Sequence, residues 1–189
     1  MRFFIALEIP EESKKELQAV QEKLENLIPK IRLTDPGKLH LTLSFIGEQS
    51  NTLQLQLTQI IQAAASGVAS FQITPAYLDG FPNLHHPHTI WVGVKGDIDK
   101  LLFIRERIKD GLADMKLTVD ERRFTPHIAI AKSNHHIKIS RELETGLEKI
   151  MAQSFDPIQI QSIKLFQSIP EHGFHRHNTL AEIFLSNSR

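Results

Sequence analysis

Two short segments constrain this chain more than any other feature. In Leu39-His40-Leu41-Thr42-Leu43-Ser44-Phe45 the apolar residues take every second place, and His127-Ile128-Ala129-Ile130 repeats the same phase. A period of two is the pattern of a strand buried on one face only. It puts His40, Thr42 and Ser44 together on the other face, and His127 with Ala129. A single segment of this kind is common in any half-buried sheet. Two of them, with the histidines 87 positions apart, point to a chain built from two diverged copies of one unit.

The rest of the chain fits two such units. Residues 2–9 are rich in Phe and Ile and stop at Pro10, which reads as a strand. From Glu11 to Leu27 the period changes, with Leu17, Val20, Leu24 and Leu27 spaced by three and four, so an amphipathic helix is expected. Asp35-Pro36-Gly37 is a turn signal, and Gly47 closes the alternating strand. Leu53 to Ala65 reads as a helix, and Ala69 to Leu78 as a strand that enters a loop at Asp79-Gly80-Phe81-Pro82-Asn83. Thr89 to Val94 is a strand rich in β-branched and aromatic residues. The second half then repeats the scheme: helix from Ile98 to Leu112, strand from Phe124 to Lys132, helix from Arg141 to Ile150. Strands near Ile158 to Gln167 and Thr179 to Leu185 finish it.

With 189 residues and 21.5 kDa, such a chain buries roughly 70% of its unfolded surface and needs no covalent staple. Its 41% apolar and 23% charged residues are those of an ordinary globular protein. Cysteine is absent, which excludes disulfide frameworks, thiolate metal sites and cysteine nucleophiles and fits a reducing compartment. Twenty-two basic side chains balance twenty-two acidic ones, against a protein that grips long nucleic acid through many phosphates. A small anionic ligand or the end of an RNA remains compatible. No apolar stretch approaches the roughly 20 residues of a membrane span, and Glu8 brings a charge too early for a signal sequence. The expected location is the cytoplasm.

Ten histidines are the unusual count, and the two on alternating strands carry the chemistry. Imidazole, with an ordinary pKa of about 6.5, is half protonated near neutral pH. Two across one site supply a general base and a general acid, each contributing roughly 10²–10⁴-fold. Phosphodiester hydrolysis needs that pair, one taking a proton from water and the other giving one to the departing oxygen, with no metal or cofactor. A hydroxyl two residues after the histidine, about 7 Å along the strand, would meet a phosphoryl oxygen.

At these residues the chain resembles the two-histidine (2H) phosphoesterase superfamily, and within it the LigT-like RNA 2′,3′-cyclic phosphodiesterases. The resemblance runs from the opening strand Met1 to Pro10, through Leu39 to Gly47, through Phe81-Pro82 and Trp91-Val92-Gly93-Val94, to Phe124-Thr125-Pro126-His127-Ile128-Ala129-Ile130-Ala131-Lys132. It ends at Leu165-Phe166-Gln167-Ser168 and Gly173. It implies an α+β, bilobal fold, one domain over residues 1–189 in which two intertwined lobes with antiparallel sheets face a central cleft. It also implies opening of a terminal RNA 2′,3′-cyclic phosphate to a 2′-phosphomonoester without a metal ion. Carried over residue by residue, His40 becomes the proton donor, His127 the proton acceptor, and Thr42 a holder of a phosphoryl oxygen. The implied partners are an RNA 3′ end or a small cyclic nucleotide, acting on a monomer with no membrane.

Three positions depart from the family pattern. Ala129 stands where the second motif has Thr, so one hydroxyl is missing from the substrate site. Lys132 replaces the usual Arg, a point charge in place of a fork, and ideal alternation puts it on the face opposite His127. His88 stands where a basic Arg is common. The remaining histidines read as solvated, with the alternative that some of the two loop clusters line the mouth of the cleft and meet the RNA end when protonated: His85, His86 and His88 in one loop, His172, His175 and His177 in another with Arg176, and His135 and His136 on the surface. Phe81 and Trp91 are stacking candidates, although Trp91 in an apolar strand reads as core. Beside the enzyme stands a second class of function, a non-catalytic module that binds RNA ends and lost turnover with Ala129. Retention of His127 favours the enzyme.

Overall fold

A computed structural model describes residues 1–117, 123–133, 137–171 and 174–187. The strands are β1 (Arg2–Glu8), β2 (Arg32–Leu33), β3 (His40–Glu48), β4 (Phe71–Phe81), β5 (Thr89–Gly96), β6 (His127–Lys132), β7 (Ile158–Ile160), β8 (Ser162–Glu171) and β9 (Phe174–Phe184). The helices among the described residues are α1 (Glu11–Leu27), α2 (Gln54–Ala65), α3 (Ile98–Asp114) and α4 (Arg141–Met151). α1 has the bounds its periodicity predicts, and Leu17, Val20 and Leu24 are fully buried. Each such side chain contributes roughly 1.5–3 kcal/mol of apolar burial. Two expectations shift: β4 continues through Asp79 to Phe81, and residues 124–126 lie outside β6.

The strands form one sheet in the order β7-β4-β5-β6-β3-β1-β8-β9, with β2 also on β6. All its strand pairings are antiparallel. The two histidine strands are therefore neighbours at the centre of one sheet. They meet through a single residue pair, Leu41 with Ile128. On either side of this seam lie four strands, with α2 and α3 packed on the β3 side and α1 and α4 on the β6 side. β1-α1-β3-α2-β4 and β5-α3-β6-α4-β8 follow the same order, but each run gives elements to the other. β4 pairs with β5, β8 pairs with β1, α1 packs on β6 and α3 on β3. Among the described residues no helix is long and apolar enough to cross a membrane.

Both histidine strands carry a bulge at the same place. Between Ile5–Ser44 and Ala6–Thr42 the register of β1 and β3 leaves Leu43 unmatched, and between Ile90–Ala131 and Trp91–Ala129 that of β5 and β6 leaves Ile130 unmatched. Each is the third residue after its histidine. A bulge inserts one residue and resets the alternation beyond it. So the fifth residue after each histidine, Phe45 in β3 and Lys132 in β6, returns to the histidine face. This corrects three readings from ideal alternation: Lys132 does not point away from His127, Phe45 is not core but 67% exposed, and Ser44, paired with core Ile5, is buried on the face opposite His40. The Ile130 carbonyl at the second bulge accepts from Thr34 N–H at 2.9 Å and from the buried Gln21 Nε2 at 2.8 Å.

Candidate active site

Each histidine is anchored in the same way. His40 Nδ1 lies 2.7 Å from the Lys38 carbonyl oxygen, and His127 Nδ1 lies 2.7 Å from that of Thr125. A carbonyl oxygen only accepts, so Nδ1 carries the hydrogen in both rings and Nε2 is left to face outward. Local sequence fixes both carbonyls. Pro126 confines Thr125 to extended backbone. On the other side a short 3₁₀ turn, Pro36–Lys38, is capped by the Asp35 carboxylate accepting from Gly37 N–H at 2.9 Å, and ends at Leu39 in extended conformation. The register through Leu41 and Ile128 sets Thr42 beside His127 and Ala129 beside His40.

Aromatic rings wall both imidazoles. Around His40, the Phe4 ring lies at 5.2 Å between centroids and the His177 ring meets it edge-on at 5.5 Å. Phe4 in turn stacks on Phe166 at 5.0 Å and touches His177 at 4.9 Å. Around His127, Phe81 stands edge-on at 4.9 Å and Trp91 at 5.4 Å. Gly93, opposite both His127 and Tyr77, leaves the space that the Tyr77 ring occupies, since a Cβ there would overlap it. Trp91 is buried, as expected for core, yet it also forms the wall of the site. Its Nε1–H has no hydrogen-bond partner among the described residues.

Trp91 is the cross-strand neighbour of Ala129. The two are directly opposed in β5 and β6, whereas Thr42 is opposed by Ala6 in β1. The large and the small partner are exchanged between the halves. Thr42 is itself buried.

Burial pushes the His40 imidazole below its ordinary range, opposed by the Lys38 carbonyl and reinforced by the charges of His127 and Lys132. Burial lowers His127 too, against the Thr125 carbonyl. His177 is lowered to about 4, first by burial and then by His40, Lys38, His175 and Lys132. Lys132 thus acts on the two imidazoles of the β3 side, as its position after the bulge requires.

The sequence offers His177 only as a loop residue at the mouth of the cleft; the structure sets its ring against His40. His175 and His177 belong to β9 and not to a loop, paired with Pro170 and Ser168 of β8. Three flat strand spacings would hold β9 about 14 Å from β3, so ring contact between His177 and His40 requires the sheet to curl strongly over this face. The alternation His175-x-His177-x-Thr179 was the available signal. His85, His86 and His88 are exposed in the β4–β5 loop as expected, while His135, His136, His172 and Gly173 lie outside the described residues. Among the described residues no three His, Asp or Glu side chains converge as a metal site.

The His177 shift predicts a pH effect on stability. The unfolded chain takes up this proton as pH falls past about 6.5, the folded protein only near 4, so stability is lost across that interval. His177→Phe keeps the ring and removes the titration. Urea midpoints at pH 7 and pH 4.5 should differ less for this variant than for the wild type; an equal difference would overturn the assignment.

Comparison with known proteins agrees with this geometry. An RNA 2′,3′-cyclic phosphodiesterase of Methanocaldococcus jannaschii is 29% identical over 168 residues, 89% of this chain and 91% of that protein. Among solved structures, TT0787 of Thermus thermophilus superposes with a TM-score of 0.80 at 20% identity, covering 100% of both chains. E. coli LigT complexed with 3′-AMP gives 0.75 at 19% identity, covering 98% of both. These neighbours share the α+β fold of two similar halves. The model of the 2′-5′ RNA ligase superfamily matches residues 9–165, a span that holds both carbonyl-anchored histidines, and the chain belongs to that superfamily, the two-histidine phosphoesterases.

Proposed function

We propose that this chain is an RNA 2′,3′-cyclic phosphodiesterase that opens the terminal cyclic phosphate to a 2′-phosphomonoester without a metal ion. One observation carries the reading: two imidazoles on adjacent strands, each held by Nδ1–H on a backbone carbonyl two residues back, present Nε2 on one face of the sheet. Neutral His127 takes a proton from water as the water oxygen bonds to phosphorus. The bond from phosphorus to the 3′ oxygen breaks, and His40 gives its proton to that oxygen. Exchange of protons with solvent resets the pair. Thr42 donates to a phosphoryl oxygen and the Lys132 ammonium faces the same charge, each such charge-assisted contact contributing about 1.5–3 kcal/mol. In the free protein Lys132 and His127 oppose protonation of His40. A phosphate anion bound beside them reverses that sign and loads the proton where it is used.

The names of the relatives support this activity, and the reading places the protein in the cytoplasm as a monomer, one domain of two intertwined lobes over residues 1–189. Ala129 favours a second reading, a module that binds RNA ends without turning them over. A short RNA ending in a 2′,3′-cyclic phosphate, incubated with the protein with and without chelator, decides between them. The expected product is the 2′-phosphate at equal rates in both arms. Binding without opening would replace the enzyme by the module, and loss in chelator would overturn the metal-free scheme.

A further inference from the structure

Resting on that reading, we infer that the face beyond His40 is a subsite for the nucleotide strand itself. The terminal base lies on Phe45, and the phosphate on its 5′ side is held by Arg2 and His175, so the ligand is an oligonucleotide and not a cyclic mononucleotide. Phe45 is the most telling residue. The bulge at Leu43 returns it to the histidine face, where it packs at 6.3 Å on Phe4, itself 5.2 Å from His40. Its ring is nevertheless 67% exposed. An exposed ring beside a reacting centre is a platform that any base can stack on.

The next row of the same face is polar and cationic. In β1 Arg2 is two residues from Phe4, about 7 Å further from the histidines. The pairings align it with Ser168 of β8 and then with His177 of β9. His175, one row on, is 3.0 Å from the Ser168 hydroxyl through Nδ1. Arg2, Ser168 and His175 line one cavity with Glu48, Gln167, Ile169 and Pro170. Among the described residues Arg2 is in no ion pair, although Glu48 opposes it in β3. A guanidinium forks onto two phosphate oxygens, which suits the internucleotide phosphate one step up the chain. His177 stands between the two centres, its ring 5.5 Å from that of His40. On the opposite side of the seam the exposed rings Tyr77 and Phe81 are accompanied by Asp79, and the anionic strand is not drawn there.

Binding tests this without turnover. Isothermal titration compares a nucleoside 2′-monophosphate with a trinucleotide ending in the same 2′-phosphate. The trinucleotide should bind at least about tenfold tighter at low salt, as the added charge-assisted phosphate contact allows. That advantage should shrink with added salt. Phe45→Ala should weaken both ligands by about tenfold, and Arg2→Gln should collapse the ratio between them toward one. Glu48→Gln, which removes the one carboxylate in the cavity lining, should enlarge the ratio. Equal affinity of the two ligands, or an unaltered ratio in Arg2→Gln, overturns the subsite. The cyclic-phosphate assay runs in parallel on the same protein, so a chain that discriminates length but opens nothing keeps the subsite and loses the enzyme.

Discussion

Replacing either His40 or His127 by alanine is expected to remove nearly all turnover while leaving the protein folded. Each imidazole supplies roughly 10²–10⁴-fold through its proton, and the two act as a unit, so the double variant should be little worse than either single one. The fold should survive because neither ring belongs to the main core. Leu41 and Ile128, which form the seam, are fully buried on the opposite face and remain. The lost hydrogen bond to the Lys38 or Thr125 carbonyl costs about 1 kcal/mol. Rates on a cyclic-phosphate RNA, beside thermal unfolding by circular dichroism, check both statements; most of the activity surviving in either variant would end the mechanism. The wild type should show a bell-shaped rate profile whose two limbs belong to the pair. For the free enzyme, both limbs should lie on the acid side of the ordinary imidazole value, since burial lowers His40 and His127 alike.

The second large effect is expected at Thr42. In the proposed reaction its hydroxyl donates to the phosphate, and losing a hydrogen bond to a charged group costs about 1.5–3 kcal/mol. Thr42→Val, which keeps the shape, should therefore lower kcat/KM by on the order of 10–150-fold without moving the melting temperature. Ala129→Thr is the complement. The new hydroxyl would lie beside the unpartnered Trp91 Nε1–H, which fixes its orientation, and should preserve or raise activity in the wild type and recover part of the loss in Thr42→Val. A large loss in Ala129→Thr alone would show that the indole leaves no room. A neutral Thr42→Val would show that Lys132 and backbone groups carry the phosphate alone.

The histidine strands, all four helices and the α+β class were legible because each is written in local periodicity: β3 in strict alternation, α1 in the spacing of Leu17, Val20 and Leu24. What local pattern could not supply was the position of the two bulges. An extra residue at Ile130 is stabilised by Gln21 from α1 and by Thr34 before β3, partners more than 90 positions away in sequence. Without them Lys132 falls on the wrong face and Phe45 reads as core. The place of His177 was hidden for a related reason. Its functional neighbour, His40, is reached only through the curl of a sheet across β1 and β8, and no spacing within one strand records that curvature. The exchange of β4 and β8 between the halves is likewise a property of pairing and not of composition.

The seam through Leu41 and Ile128 relates the halves as a two-fold axis relates the subunits of a symmetric dimer. In a dimer of identical chains both imidazoles would be bound to one environment, and any change near one would be copied at the other. Joining the units in one chain lifts that constraint. β9 brings a third imidazole against His40, Lys132 acts on the same side, and Ala129 leaves the other side without a hydroxyl. Donor and acceptor can then be tuned independently, by substitutions that touch one centre and leave its twin as it was. Two like imidazoles in unlike surroundings are what the proposed division into an acid and a base needs.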